Sequence, residues 1–544
     1  MVSATAGARS RQTELRASPP LRVGALGVGV ALLAAAQWTT YVILGRTLNL
    51  FESGTAIVGG QRLLDGQMPY TDFFAFYGPL TYLLPGIADE VTGSVTSADF
   101  GFGLVVGIVS AVVCYLLTVG LTDRPVAALI APVVIVLLGA NTARSLPALA
   151  SILLLVWFER SGRRGWAIGA GACAGIGLLW IQDAGAWMCV SVALVALAGI
   201  FAARVRTVLD WRAFLLYAAG VVVAITPWVI WTAVRSAFGA WIYWTFIFPS
   251  TTYTERDPTA YFLSLVDTAL TAPLAYSIYV FTFFVFPFVA IALIAVGNLV
   301  FAAVSLRKRA EPGSGAAAPV TTLVLAVYAL LQLRVLAASI DEAKLIDNAA
   351  PTIVCAVALI LITLRRSGSA RRSLPALRII AVVVLAWLIV WPLWSAARTA
   401  GLNLGGEPAA VASEIGGLPF VAAGPPSSTP DDLDELIVRI DELAEPGGGI
   451  LVLPTSPLVY AMADRANATR YEYLDPVYTN AQVDAELAAR VTSGDIALVI
   501  LGDNAFPGSE LTGEQIAPET YAAITDRFTV ADVVGGFTIL VPRD

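Results

Sequence analysis

The sequence predicts an α-helical polytopic membrane protein of about eleven spans, ending in a small extracytoplasmic α/β domain. Three observations predict it. Hydrophobic residues make up 57% of the chain and charged residues only 13%, with a mean hydropathy of +0.76, which excludes an ordinary soluble protein. Apolar blocks approaching or exceeding the roughly 20 residues needed to cross a hydrocarbon layer recur along most of the chain. After about residue 400 the composition turns polar, acidic and rich in turns, with strand-like and helix-like segments alternating.

Taken in order, the chain opens with a basic tail (Arg9, Arg11, Arg16, Arg22) before an apolar run that passes through Trp38 and Leu44. That run is longer than a signal-peptide core, so AAAQ at 34–37 is read as part of a span and not as a cleavage site. Further basic clusters follow at Arg124, at Arg160, Arg163 and Arg164, at Arg204, Arg206 and Arg212, at Arg307, Lys308 and Arg309, and from Arg365 to Arg378. Short basic segments stay on the cytoplasmic side, because moving them across the membrane is costly. Fitting spans between the clusters gives 22–44, 99–120, 126–141, 147–159, 165–181, 184–202, 213–234, 274–304, 319–337, 350–364 and 377–396, with the N-terminus cytoplasmic. The stretch 77–91 cannot be a further crossing, since it would place every later Arg cluster outside. Pro79 and Pro85 suit an interfacial or re-entrant segment instead. The loops 45–98 and 235–273, the turns around Arg144, Asp183 and 338–349, and everything after Ala397 then share the outer face.

The expected domains are a cytoplasmic tail (1–21), a transmembrane domain (22–400) carrying the external loop 45–98, a linker (401–435) and an α/β domain (436–544). In the last of these, GILVLP (449–454), IALVILGD (496–503) and FTILVP (537–542) read as strands, PLVYAMADR and 481–491 read as helices, and TRYEYLDP reads as one more strand-like piece. No nucleotide-binding or DxD signature occurs there, so a recognition or positioning role is expected of it. The chain has no histidine, which excludes Ser-His-Asp hydrolases, HExxH metalloproteases and any imidazole base. Its cysteines, Cys114, Cys173, Cys189 and Cys355, lie in apolar blocks without ligand spacing and read as packing residues.

The segment Asn49–Leu80 places Glu52, Asp65 and Asp72 directly after the first span, amid helical apolar spacing and PY and YGP turn signals. A plain solvated loop needs no such pattern. The run Glu52-Ser53-Gly54, then Gln61-Arg62-Leu63-Leu64, then Gly66, Pro69, Tyr70 and Asp72, and finally Tyr77-Gly78-Pro79-Leu80 resembles the first external loop of GT-C glycosyltransferases. These are the polyprenyl-phosphate-sugar-dependent membrane enzymes that include protein O-mannosyltransferases and lipid A aminoarabinose transferases. The family's leading acidic pair is reduced here to Glu52 followed by Ser53. A late-loop turn of the family resembles Ser339, Asp341, Lys344 and Leu345, with Lys344 standing in place of a His and Ser339 in place of an Arg.

The resemblance implies transfer of a sugar from a polyprenyl-phosphate carrier to an envelope glycan, lipid or protein acceptor on the outer face of the plasma membrane. Glu52 is then the expected catalytic base, with Asp72 next, although an Asp after PY also reads as a turn residue. Arg62, Tyr70, Tyr77, Arg144, Asp183, Arg334, Asp341 and Lys344 are the expected substrate-binding residues. Arg334 interrupts an apolar run and equally reads as snorkelling to the outer interface, and Asp183 reads first as a polar turn residue and second as lining the same cavity. The aromatic residues from Trp241 to Tyr253 read either as an interfacial belt or as flanks of a lipid groove. No cofactor is expected and no carboxylate cluster demands a metal, though a divalent ion is not excluded. Membrane lipid, but no nucleic acid, is an expected partner. Two other classes remain open: a lipid-linked-sugar transporter, for which repeats and mid-membrane charges are missing, and a non-catalytic envelope scaffold.

Overall fold

The computed structural model describes residues 20–43, 47–137, 143–199, 208–251, a few residues between 266 and 300, 319–338, 342–366, a few between 414 and 423, then 430–445, 447–502 and 511–543. The main helices are α1 (Pro20–Ile43), α2 (Glu52–Leu64), α3 (Leu80–Thr92), α4 (Val95–Thr122), α5 (Ile130–Leu137), α6 (Leu146–Ser161), α7 (Arg164–Trp180), α8 (Gln182–Ala198), α9 (Trp211–Val234), α10 (Phe238–Ile242), α11 (Pro319–Ala338), α12 (Glu342–Arg366), α13 (Pro430–Leu443), α14 (Leu458–Met462), α15 (Ala481–Thr492) and α16 (Pro518–Arg527). The strands used below are β1 (Thr47–Asn49), β2 (Val421–Ala423), β3 (Ile450–Leu453), β4 (Leu498–Gly502), β5 (Phe528–Val534) and β6 (Phe537–Pro542).

By length and composition, three described helical segments, Arg22–Thr39, Val95–Thr122 and Trp211–Val234, suffice to cross a membrane. Shorter apolar helices at Gln182–Ala198, Pro319–Leu333 and Ala350–Ile362 coincide with expected spans. The expected span 377–396 and nearly all of 274–304 lie outside the described residues. The stretch read as non-crossing forms α3. Its 13 residues reach only about 20 Å, short of the roughly 30 Å of a hydrocarbon core.

The chain divides into two compact units. One comprises Met1–Trp38, Leu104–Trp228 and Arg256–Thr399; the other comprises Thr39–Gly103, Val229–Glu255 and Ala400–Asp544. This cuts across the division expected from composition, because the loop after α1 and the segment after α9 belong with the C-terminal α/β region.

In the first unit an apolar core is built from α4 to α8, α11 and α12, around Leu117, Leu149, Ile152, Val156, Met188, Val324, Tyr328 and Val354. Cys114 and Cys355 are buried within it, and all four cysteines are free thiols. Glu159, near the end of α6, caps α11: its carboxylate accepts the Val320 N–H at 3.0 Å and the Thr321 N–H and hydroxyl at 2.8 Å each. The first N–H groups of a helix have no partner within it, so a carboxylate there satisfies both hydrogen bonding and the helix dipole.

The second unit is built on a four-stranded sheet of order β3-β4-β6-β5, in which β3 and β4 are parallel and the other pairs antiparallel. Strand side chains alternate between faces, and both faces here are covered, so β3 and β4 read as continuous apolar runs. Ile450, Val452, Leu498 and Ile500 pack on one side with Leu433, Leu436 and Ile440 of α13. Leu451, Leu453 and Val499 pack on the other with Val483, Leu487 and Val491 of α15 and Ile524 of α16. Helix α13 begins at Pro430, inside the stretch read as linker, and Leu433 is fully buried. The TRYEYLDP segment is not a strand of this sheet; it runs as irregular chain whose Tyr471, Tyr473 and Leu474 side chains are buried.

Helix α2 joins the first of these cores. Leu50, Ile57 and Val58 share the cluster with β3, β4 and α14, and the Leu458 N–H donates to the Leu50 carbonyl at 3.0 Å. A Cβ on Gly54 would stand 2.3 Å from the Leu458 nitrogen, so only glycine permits this approach. Helices α2 and α3 meet equally closely through Gly60 and Gly86, where a Cβ on Gly60 would lie 2.7 Å from the Gly86 Cα. Gly60→Ala is therefore expected to lower stability by about 2 kcal/mol through forced separation of the two helices. Gly101→Ala on α4, where nothing lies within 4 Å of the added methyl, should be neutral or slightly stabilising. Unfolding midpoints of the purified full-length proteins in detergent check the pair.

Candidate functional site

The loop after α1 is ordered by its own polar groups. Asn49 Oδ1 accepts the N–H groups of Phe51 and Glu52 at 3.0 and 2.9 Å, which starts α2 with Glu52 as its first residue. An acid in the first turn is favoured by the helix dipole, and Glu52 is exposed there. The adjacent Ser53 donates its hydroxyl to Asp99 Oδ1 at 3.0 Å, which brings a carboxylate from α4 beside the start of α2.

Beyond α2 the chain reverses at Gly66, with φ of +83°, and again at Tyr70, with φ of +75°, a conformation unusual for a residue with a side chain. Tyr70 is buried and donates its hydroxyl to the Tyr77 carbonyl at 2.9 Å; burial raises its pKa well above the usual tyrosine value. The Asp72 carboxylate accepts the Met68 N–H at 2.7 Å, and the Asp72 N–H donates to the Met68 carbonyl at 2.8 Å. Asp72 thus closes the turn, as the turn reading of that residue expected. Tyr77 is partly exposed, and the Tyr82 hydroxyl accepts the N–H groups of Phe76 and Tyr77 at 3.0 and 3.2 Å.

Arg62 sits in the last turn of α2 with its side chain 12% exposed. Its Nε donates to Gln67 Oε1 at 2.8 Å, one terminal nitrogen to the Asp72 carbonyl at 3.0 Å, and the other to the Thr469 carbonyl at 3.2 Å. The guanidinium also lies over the Phe73 ring, 5.0 Å from its centroid, and 3.7 Å from Glu472 Oε1. In this arrangement Arg62 braces the loop from within the second unit.

Glu472 was not among the residues expected from sequence. It is completely buried, and neither carboxylate oxygen receives a hydrogen bond. Burial pushes its carboxyl up to about 8, against the smaller opposing pull of Arg62. The only sequence signal was a lone acid between two tyrosines, Tyr471 and Tyr473, in a segment read as a strand.

The aromatic residues after α9 are core as much as belt. Phe74 stacks on Tyr478 at 4.0 Å and meets Trp244 edge-on at 5.2 Å, and Phe76 meets Phe248 at 6.2 Å. Trp241 and Phe248 are buried, whereas Tyr243 remains 45% exposed. The Phe74 N–H donates to the Arg470 carbonyl at 2.7 Å, and Arg235 donates to the Gly66 carbonyl at 2.5 Å, which ties both flanking segments to the loop.

In the first unit, Arg144, in the turn before α6, and Asp183, in the first turn of α8, form an ion pair, so two residues expected near the same site are brought together. Tyr328 lies within electrostatic reach of both and accepts from Gln332. Arg334 and Lys344 fall on α11 and α12, but their side chains, like Asp341 and Tyr253, lie outside the described residues. Among the described residues no three His, Cys, Asp or Glu side chains gather in a way that could hold a metal ion.

Two solved structures share this architecture. ArnT from Cupriavidus metallidurans in the apo state aligns with a TM-score of 0.52 at 14% identity, over 95% of this chain and 97% of that one. The same protein bound to undecaprenyl phosphate aligns with a TM-score of 0.54 at 14% identity and the same coverage. The chain has the GT-C fold. No family model matches the sequence, and no curated protein is significantly similar to it.

The buried carboxyl of Glu472 makes stability depend on pH. Its folded pKa, about 8, lies above the unfolded value, so the folded protein retains a proton that the unfolded chain releases, and stability falls as pH rises from about 4.5 to about 8. Glu472→Gln is expected to flatten that fall and to stabilise the protein at pH 8 by on the order of 3 kcal/mol. Unfolding midpoints of both proteins across pH 5–9 check it.

Proposed function

We propose that this protein is an integral membrane glycosyltransferase that moves a sugar from a polyprenyl-phosphate donor to a hydroxyl of an envelope glycan, lipid or protein acceptor at the outer face of the plasma membrane. The observation that carries the reading is the end-to-end likeness to ArnT, an aminoarabinose transferase whose structure is known with undecaprenyl phosphate bound. It is supported by the first-loop residues, which are ordered into a helix start and two tight turns and not left as a solvated connection.

In the proposed reaction the acceptor oxygen bonds to the anomeric carbon, the bond from that carbon to the phosphate oxygen breaks, and the hydroxyl proton passes to a carboxylate. Glu52 fits that role best. It is exposed at the start of α2, and a carboxylate there can take a proton from an acceptor hydroxyl brought within hydrogen-bond reach. Asp72 is engaged on the Met68 N–H, which suits it to shaping the loop. The departing polyprenyl phosphate needs cations, since charge develops on its oxygens. Arg144 is a candidate, oriented by Asp183, as are Arg334 and Lys344. The gathering of Thr39–Gly103, Val229–Glu255 and Ala400–Asp544 into one unit accords with their sharing the outer face.

Glu52→Gln and Glu52→Ala, expressed at parental levels in a deletion strain, are each expected to reduce one specific glycan linkage by at least about a hundredfold, the usual scale for losing a general base. Linkage analysis of the envelope provides the measurement. Unchanged glycans would favour the non-catalytic scaffold.

A further inference from the structure

Among the ties between the C-terminal region and the loop, one is a guanidinium. Arg62 has five N–H donors, and in this structure they serve Gln67, the Asp72 carbonyl and the Thr469 carbonyl. Two of these partners flank the Met68–Asp72 turn, and the third belongs to the C-terminal segment. Glu472 stands 3.7 Å from the same guanidinium, beyond hydrogen-bond distance, with both oxygens sealed from solvent and without donors.

We propose that Glu472 is a positioning residue for the loop that carries Asp72 and Tyr70: by its protonation state it decides whether Arg62 holds the Met68–Asp72 turn or is drawn away from it. The assignment rests on the transferase reading for the importance of that loop, though not for the clamp itself. With a proton on Glu472, the guanidinium has no anion competing for its donors, and all three bonds to the loop and to Thr469 stand. Once the proton leaves, a carboxylate 3.7 Å from a guanidinium in a buried setting forms the stronger, charge-assisted pair. The nitrogen nearest to it is the one now given to the Thr469 carbonyl, and drawing it toward Glu472 moves the rigid fork whose other terminal nitrogen holds the Asp72 carbonyl.

The charged and titratable groups facing Glu472 are Arg62 of α2, Tyr82 of α3 and Tyr460 of α14. Asp72 also acts electrostatically on Arg62. Burial raises both tyrosines, so neither titrates in the range where Glu472 does. Arg62 is lowered by burial from its ordinary value yet remains a cation there. One group therefore changes charge between pH 6.5 and 9, and it is Glu472.

Hydrogen–deuterium exchange of the full-length protein in detergent, read on peptides covering 66–76 and corrected for the intrinsic effect of pH, tests the clamp. In the parent the loop is expected to lose protection about tenfold between pH 6.5 and pH 9. In Glu472→Gln, which stays neutral, protection should be the same at both. Arg62→Lys keeps the charge but lacks the planar fork, and should loosen the loop at both pH values. A parent loop that ignores pH, or a Glu472→Gln loop that loosens in parallel with it, overturns the proposal. Because no sugar transfer enters this measurement, it stands apart from the glycan analysis. Unchanged glycans in Glu52→Gln with a pH-responsive loop would sink the transferase reading and leave the clamp.

Discussion

The second unit depends on the close seating of α2 against a sheet whose strands begin some four hundred residues later in the chain. Gly54 lets the helix backbone touch Leu458, Ile57 and Val58 enter the same apolar core as β3 and β4, and Gly60 lets α3 close over the opposite side. A Cβ at either glycine would meet backbone atoms within 3 Å, and backbone cannot step aside as a flexible side chain can. The position of Glu52, at the first turn of that helix, and of the Met68–Asp72 turn, just past its last, is thus set by packing together with the loop's own hydrogen bonds.

This arrangement gives the polar C-terminal region a structural part in a chain otherwise rich in apolar helices. A segment of about thirty residues between two apolar helices could not bury enough surface to hold a defined conformation alone. Here it borrows a core. The Leu50 and Arg470 carbonyls accept N–H groups across the join, Phe74 sits among Tyr471, Tyr473 and Tyr478, and the residues after α9 add Trp244 and Phe248. Three segments distant in sequence make one compact unit, and the loop after α1 belongs to the first of them.

Much of this was legible in the sequence because the signals were local. The Asp and Pro-Tyr turn chemistry around 66–72, the helical spacing of 52–64, the strands at 450–453, 498–502 and 537–542, and the helices at 458–462 and 481–492 all follow from spacing and from residues with strong turn preferences. What stayed hidden was set by partners far away in the chain. Strand β5, at the sheet edge with exposed Val530 and Val533, lacks a clear apolar alternation and is specified by pairing with β6 across Gly535. The TRYEYLDP segment alternates like a strand, yet its aromatic residues serve the cluster around Phe74, and the edge strand β3 bonds instead to Ala466 and Ala468 just before it.

The charged residues show the same limit more sharply. From sequence, Arg62 read as a cation facing a substrate and Glu472 was not noticed at all, because charge on a loop is ordinarily solvated. In the folded unit one is a largely buried brace with four separate partners, and the other is a carboxyl sealed among tyrosines. A buried acid without donors is costly to ionise, and a core could remove that cost by replacing it with an apolar residue of similar size. Its presence beside a side chain that ties the loop to the C-terminal segment makes more physical sense as a means of keeping that side chain responsive than as a source of stability. The same reasoning separates it from Glu159, both of whose oxygens accept hydrogen bonds in capping α11, where a carboxylate is satisfied as an anion.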